Sequence, residues 1–92
     1  MMVKIRIPTP LRKLTNDTDV VESSAATLGA AVDELEAGFP GIKERICDEH
    51  GEIRRFVNIY VNGEDVRFLE NLGTALKPGD EVSIVPAVAG GA

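Results

Sequence analysis

Residues 55–62 read RFVNIYVN and form the clearest strand pattern of this 92-residue chain. Val57, Ile59 and Val61 alternate with side chains that point the other way, which is typical of a strand with one buried face. The next step is Asn62-Gly63, a dipeptide that favours a tight hairpin turn. The stretch therefore predicts a half-buried strand that continues directly into a hairpin.

Further strands are predicted on either side of this stretch. Residues 3–7 alternate between apolar and basic side chains, and residues 81–86 form an apolar-rich segment that ends at a proline. Shorter strands are predicted at residues 20–22 and 65–68, each following turn-forming residues. The strands thus lie at both ends of the chain and in its second half.

One main helix is predicted between these strands, at residues 28–37, because its apolar residues recur at three- and four-residue spacing. Thr27 is a suitable N-cap residue, and Gly38 is predicted to end the helix in a left-handed conformation. Ile42 and Ile46 would form the inner side of one or two further helical turns. The remaining connections are predicted to be loops.

The order β-β-α-β-β-β predicts an α+β protein with a β-grasp (ubiquitin-like) fold, in which a mixed sheet packs on one main helix. The two terminal strands would lie side by side and parallel in the middle of the sheet. Residues 1–87 would form this single domain, and residues 88–92 a flexible C-terminal Gly-Gly tail. The predicted core consists of Val3, Ile5, Ile7, Leu28, Val32, Leu35, Val57, Ile59, Val61, Val82 and Ile84.

Composition argues against several classes of function. Fifteen acidic and ten basic residues give a net charge of -5, which disfavours binding to nucleic acid or to an anionic membrane. No apolar stretch approaches the roughly 20 residues that a membrane-spanning helix needs, so we expect a cytoplasmic protein. Cys47 is the only cysteine, which excludes an internal disulfide, and its acidic neighbours Asp48 and Glu49 predict an inert thiol.

The sequence has no pattern of catalytic residues, metal ligands or phosphate-binding glycines, so we expect a protein that is not an enzyme and needs no cofactor or metal. The acidic pairs Asp48-Glu49 and Glu64-Asp65 lie in predicted loops or turns, where solvated charge is the ordinary interpretation. What remains is the C-terminal segment. Gly90 and Gly91 lack side chains and can pass through a narrow channel, and the carbonyl of Gly91 is open to attack.

Five segments carry a resemblance to a known family: IRIPT at residues 5–9, TLG at 27–29, RFVNIYVN at 55–62, DVRF at 65–68 and IVPAVAGG at 84–91. With them the chain resembles the MoaD/ThiS family of ubiquitin-like sulfur carriers, most closely its CysO branch. The resemblance extends over nearly the whole chain. It implies a sulfur carrier protein whose C-terminal glycine is first adenylated and then converted to a thiocarboxylate.

The resemblance also implies specific partners. An E1-like adenylating enzyme would activate Gly91, with Gly90 as a slender spacer, and a PLP-dependent cysteine synthase would accept the sulfur. The family's working form ends in Gly-Gly, whereas this sequence continues to Ala92. A JAMM-type zinc metallopeptidase would therefore be needed to cleave between Gly91 and Ala92.

A partner-binding patch is expected on the outward face of the sheet. Phe56 and Tyr60 alternate with the buried residues of their strand, and Arg6 and Val85 would face the same way on neighbouring strands. Alternatively, the two aromatic residues cover the edge of the core or meet the loop at residues 47–52.

Three other functions are compatible with the same fold and the same C-terminal glycines. The carrier could serve molybdopterin or thiamine thiazole synthesis instead of cysteine biosynthesis. A ubiquitin-like protein modifier would form isopeptides through Gly91. A β-grasp interaction module with an idle tail would function without residues 90–92.

Overall fold

The computed structural model describes residues 2–86. Residue 87 and the predicted tail, including Gly90, Gly91 and Ala92, lie outside the described residues. The elements, in chain order, are β1 (Val3–Arg6), β2 (Val20–Ser23), α1 (Leu28–Gly38), α2 (Ile42–Ile46), β3 (Val57–Val61), β4 (Glu64–Asp65) and β5 (Glu81–Pro86). The predicted α+β class and β-grasp fold are confirmed.

The strands form one five-stranded sheet in the order β2-β1-β5-β3-β4. The first and last strands of the sequence, β1 and β5, are adjacent and parallel, with Ile5 opposite Val82. Strand β3 pairs with β5 in the antiparallel sense, with Ile59 opposite Ile84. The prediction that the terminal strands meet in the middle of the sheet is therefore correct.

Helix α1 covers one face of this sheet. The side chain of Thr27 accepts a hydrogen bond from the N–H of Ala30 at 3.2 Å, which confirms its N-cap position. All of the predicted core residues are buried. Seven further buried apolar residues extend the core, mostly from α1, α2 and the connections: Leu11, Ala31, Ile42, Ile46, Cys47, Val66 and Leu76.

Two local predictions are wrong. The predicted strand at residues 65–68 is only the two-residue β4, after which Val66–Phe68 forms a 3₁₀ turn capped by the Asp65 carboxylate. This turn buries Val66 completely and leaves Phe68 exposed, whereas a strand would place both on the same face. The left-handed conformation predicted at Gly38 occurs instead at Gly41, whose φ is +101°.

Among residues 2–86, no helix is long and apolar enough to cross a membrane.

Candidate functional site

The C-terminal end of β5 is the part of the described structure nearest in sequence to the predicted tail. Pro86 pairs with Val57 of β3, and β1 pairs with the other side of β5 over Glu81, Val82 and Ser83. The last described residue is therefore held by a central strand of the sheet rather than by an edge strand.

Three of the four predicted patch residues lie on the sheet face opposite α1. Arg6 is opposite Ser83, and Ser83 is opposite Tyr60, so these side chains form one row across β1, β5 and β3. Val85 is opposite Asn58 in the next row toward the end of β5. The structure thus brings Arg6, Tyr60 and Val85 together on one outward face.

Phe56 lies just before β3, next to the Val57–Pro86 pair. Its side chain is 58% exposed and that of Val85 is 45% exposed, while Tyr60 is half-buried. Because Phe56 is mainly exposed to solvent, covering the edge of the core is not its main contribution. Exposed apolar side chains close to each other are typical of a contact surface.

Arg6 forms an ion pair with Glu81 on the same sheet face. Its Nε lies 3.1 Å from Oε1 of Glu81, and both side chains are about half exposed. The hydrogen bond and the charge of Arg6 lower the pKa of Glu81, and the same contact raises the pKa of Arg6. The ion pair therefore keeps Arg6 aligned along the face at neutral pH.

A groove of about 360 Å³ borders this face at the end of β5. Arg12 lies in its wall, and the Arg12 Nε donates a hydrogen bond to the carbonyl of Ile7 at 3.1 Å. Asp19 and Thr9 lie in the same wall. Sequence reasoning missed Arg12, because nothing in the local pattern indicates that the segment after β1 folds back beside β5.

Sequence reasoning also missed Arg67. Its Nη2 donates hydrogen bonds to the carbonyls of Arg54 (2.9 Å) and Val57 (2.8 Å), and its Nη1 donates to Oδ1 of Asn58 (2.8 Å). The guanidinium group thus reaches from the turn after β4 across β3 to the outward face. The local sequence contains no signal for these contacts, which depend on the 3₁₀ turn.

The described residues do not form a catalytic arrangement around Cys47. The thiol is buried, and burial is the main reason that its pKa is raised. Asp48 adds to this effect, as the sequence predicted, whereas Lys43 opposes it. A protonated, buried thiol is a poor nucleophile, which agrees with the prediction that it is inert.

One carboxylate of each acidic pair has a structural role. The Asp48 carboxylate accepts hydrogen bonds from the N–H groups of His50 and Glu52, which lower its pKa, and it shapes the loop before β3. Asp65 caps the 3₁₀ turn through the N–H of Arg67. Within residues 2–86 there is also no group of three or more potential metal-ligating side chains.

A family model, described as the ThiS family, matches residues 5–91. The chain belongs to the ThiS family. The match includes every strand of the sheet apart from the first residues of β1, and it continues beyond the described structure to Gly91.

Several proteins similar in sequence to this chain are sulfur carriers or putative sulfur carriers. The chain is 53% identical over 93 residues to the sulfur carrier protein CysO of Mycobacterium tuberculosis, covering 99% of this chain and all of that protein. A crystal structure of the same organism's CysO matches with a TM-score of 0.88 at 51% identity, covering 94% of this chain and 99% of that one. A chain of the Amycolatopsis orientalis BexX/CysO complex matches with a TM-score of 0.90 at 44% identity, covering 95% and 97%.

Proposed function

We propose that this ThiS-family chain is a sulfur carrier protein that serves cysteine biosynthesis and is not itself an enzyme. The observation that carries the proposal is the 53% identity to CysO over 99% of the chain. The position of β5 supports it, because the strand that precedes Gly90-Gly91 in the sequence is a central strand of the sheet. The family match that continues to residue 91 supports Gly91 as the working residue.

The chemistry takes place on the carboxylate of Gly91 in the active sites of other proteins. A carboxylate is a poor electrophile, and adenylation by an E1-like enzyme with ATP makes its carbonyl reactive. Attack by a persulfide sulfur expels AMP, and reductive cleavage of the resulting acyl disulfide by a thiol leaves a thiocarboxylate on Gly91. A PLP-dependent cysteine synthase then uses this sulfur as the nucleophile toward an activated serine.

The carboxylate of Gly91 is available only after the bond to Ala92 is hydrolysed. We assign this step to a JAMM-type zinc metallopeptidase, whose metal belongs to that enzyme and not to this chain. Gly90 is the spacer, because a residue without a side chain passes through a narrow entrance that a larger residue would block. These reactions are expected in the cytoplasm.

The outward sheet face is the docking surface that we propose for the partner enzymes. Phe56 and Val85 supply exposed apolar area, and Tyr60 and the aligned Arg6 supply a polar rim beside it. Val85 and Pro86 belong to this part of the sheet, and only four residues separate Pro86 from Gly91 in the sequence. The docking surface therefore fits an enzyme that handles Gly91.

The test is intact-protein mass spectrometry of the chain expressed in its own host. We expect a species that has lost Ala92 and exchanged one terminal oxygen for sulfur, which is about 16 Da heavier than the processed carboxylate. A Gly91→Ala variant should not form the thiocarboxylate. Gly73→Ala is the matched control, because it changes a glycine in an exposed turn far along the chain from residue 91.

Other products would point to other functions. A covalent conjugate between Gly91 and a lysine of another protein would identify a protein modifier. A chain that keeps Ala92 in both sulfur-replete and sulfur-starved cells would contradict the carrier function and favour an interaction module. Loss of molybdopterin or of the thiamine thiazole, rather than of cysteine, in a host from which the chain has been deleted would redirect the pathway.

A further inference from the structure

Strand β2 forms one edge of the sheet, because its inner side pairs with β1 and no strand of residues 2–86 pairs with its outer side. The N–H of Ile7 donates a hydrogen bond to the carbonyl of Asp19 at 2.8 Å, and the next pair in the register is Arg6 with Val20. Hydrogen-bonded and non-hydrogen-bonded pairs alternate in an antiparallel ladder. The N–H and C=O groups of Val20 and Glu22 therefore point away from β1 and are available to a further strand.

The opposite edge of the sheet offers less to such a strand. Strand β4 has two residues and continues directly into the 3₁₀ turn at Val66–Phe68. By contrast, β2 has four residues, and the turn and loop hydrogen bonds within residues 2–86 do not use the main-chain groups of Val20 or Glu22. β2 is therefore the edge at which this sheet can be extended.

A groove of about 130 Å³ lies between β2 and α1, next to the free edge. Its apolar lining consists of Ile5, Val21, Ala31, Leu35 and Phe39. Val21 and Phe39 are only half-buried, so part of their apolar surface is accessible. Alternate side chains of a strand added to β2 would project to the α1 side of the sheet. The groove thus lies where one such side chain would enter, and its size suits an aliphatic one.

The charged groups that line this β2–α1 groove are carboxylates. Glu22 and Glu34 belong to the lining, which contains no basic residue. Both side chains are exposed, and neither forms an ion pair with another residue of the described range. A strand that carries lysine or arginine is therefore attracted to this edge, whereas an acidic strand is repelled.

Two basic residues lie on β1, the strand next to β2. Lys4 is opposite Glu22, and both Lys4 and Arg6 lie on the sheet face away from α1. Arg6 is paired with Glu81 of β5, on the other side of β1. The α1 side of the edge, where Glu34 lies, therefore keeps its negative charge.

We propose that the free edge of β2 and the β2–α1 groove bind an extended segment of a partner protein. The segment pairs with β2 as a sixth strand, places an aliphatic side chain in the groove and carries lysine or arginine on either side of it. Main-chain hydrogen bonds supply the affinity, and the groove with its two carboxylates supplies the selectivity. The inference uses none of residues 87–92 and does not depend on the proposed function.

A second copy of this chain is a poorer occupant of the same edge. Pairing of β2 with β2 would bring Glu22 and Glu34 of both copies to one seam, and each copy has a net charge of -5. Like charges on paired strands are destabilising. The same carboxylates that oppose self-association favour a basic partner strand.

The experiment titrates the isotope-labelled full chain with the peptide acetyl-Lys-Thr-Val-Lys-Lys-Thr-amide at low salt. Backbone amide NMR signals locate the binding site, and calorimetry gives the Kd. We expect saturable binding with a Kd below about 1 mM and signal shifts in β2 and on the β2 side of α1. A control peptide with glutamate in place of each lysine should bind at least about tenfold more weakly, and the difference should shrink at high salt.

Val20→Pro tests the main-chain contact. Proline removes the outward N–H but leaves the β1 ladder intact, because it is tolerated at the first residue of an edge strand. The substitution should raise the Kd of the lysine peptide by about tenfold or more. Val20→Thr, which keeps the N–H, is the matched control and should bind as the wild type does. Circular dichroism establishes that each variant is folded at the temperature of the titration.

Glu34→Lys tests the charge of the groove and should raise the Kd of the lysine peptide by about tenfold. Glu44→Lys is the matched control, because it makes the same charge change on α2 at an exposed position outside the β2–α1 groove. This control should leave the Kd unchanged. The pair separates the local charge of Glu34 from the net charge of the protein.

Several results would overturn the proposal. These are the absence of binding below about 1 mM, equal binding of the lysine and glutamate peptides, or an unchanged Kd in both Val20→Pro and Glu34→Lys. Self-association of the wild type that is lost in Val20→Pro would also overturn it, because the edge would then bind a second copy of the chain. Sulfur loading of Gly91 is measured separately by mass spectrometry, so failure of this inference and failure of the carrier function are distinguishable.

Discussion

The exposed side chain of Arg67 connects two segments of the surface through hydrogen bonds. Its guanidinium group makes three hydrogen bonds that join the turn after β4 to the segment at the start of β3. Two of the acceptors are the main-chain carbonyls of Arg54 and Val57, which would lose their hydrogen bonds to this side chain if Arg67 were replaced. The position of Phe56 and of Phe68 relative to each other therefore depends on this residue.

We predict that Arg67→Ala lowers the free energy of unfolding by about 1–2 kcal/mol, because three hydrogen bonds are lost and their acceptors return to water. Urea denaturation at neutral pH measures the change. Arg45→Ala, which removes an exposed arginine from α2, is the control and should change the free energy of unfolding by less than about 0.5 kcal/mol. Equal effects of the two substitutions would contradict the bridging contacts.

Individual side chains were predictable from the sequence where alternation decides their direction. The outward positions of Arg6, Tyr60 and Val85 follow from the buried residues between them. The exposure of Phe68 could not be predicted in this way, because the 3₁₀ turn replaces a strand. Its geometry depends on Asp65 and on the contacts of Arg67 with a distant segment.

At the level of elements, the corner between α1 and α2 carries a contact that the sequence pattern does not show. The Glu36 carboxylate accepts hydrogen bonds from the N–H groups of Gly41 (3.1 Å) and Lys43 (2.9 Å). It thereby caps the start of α2, where Gly41 adopts its left-handed conformation. The nearby Lys43 also forms an ion pair with Asp33 of α1 at 2.6 Å.

The hydrogen bond from the Lys43 N–H is the largest cause of a lowered pKa for Glu36, followed by that from the Gly41 N–H. A carboxyl group with a lowered folded-state pKa stabilises the fold above its ordinary pKa, and this contribution is lost as the pH falls through the folded-state value. Glu36→Gln should therefore destabilise the protein more at about pH 7 than at about pH 3. Glu34→Gln, on the exposed side of α1, should show no such difference in urea denaturation measured at both pH values.

The two glycines of this corner make a second test, because they lie three residues apart and differ in backbone conformation. Gly41 has a φ of +101°, which side chains with a Cβ rarely adopt, whereas Gly38 ends α1 without a positive φ and has open space where a Cβ would lie. Gly41→Ala should lower the free energy of unfolding by about 1 kcal/mol. Gly38→Ala should raise it by about 0.5 kcal/mol, because alanine restricts the unfolded chain. Changes of opposite sign in the free energy of unfolding, measured by urea denaturation, would confirm that only Gly41 needs a left-handed conformation. Changes of the same sign would contradict it.

At the scale of the whole molecule, the sequence predicted the central position of the two terminal strands and most of the core, because both follow from hydrophobic periodicity. The alternation in β1, β3 and β5 and the helical spacing in α1 each specify one apolar face, and a single arrangement buries all of these faces together. The positions of Arg12 and Arg67 were beyond such reasoning. They depend on how connections fold over the sheet, and the local sequence does not encode those long-range contacts.

The proposed division of the chain into a folded domain and a C-terminal tail that carries Gly91 makes a last prediction. The buried apolar side chains of residues 2–86 all lie between Val3 and Ile84, so we expect the core to form without residues 87–92. A chain that ends at Pro86 should retain the wild-type free energy of unfolding within about 0.5 kcal/mol. The same chain should be inactive as a sulfur carrier, because the carboxylate that is adenylated would be missing.

The comparison that tests this division uses three chains: wild type, the chain ending at Pro86, and Val82→Ala. Val82 is fully buried opposite Ile5, so Val82→Ala should lower the free energy of unfolding by about 2 kcal/mol. Because this variant keeps Gly91, it should still form the thiocarboxylate at temperatures below its unfolding temperature. Urea denaturation and mass spectrometry of each chain separate stability from sulfur loading. A large loss of stability on deleting residues 87–92 would show that the body and the C-terminus are one cooperative unit, whereas the expected result means that the fold serves to present Gly91 and that the partner enzymes supply the chemistry.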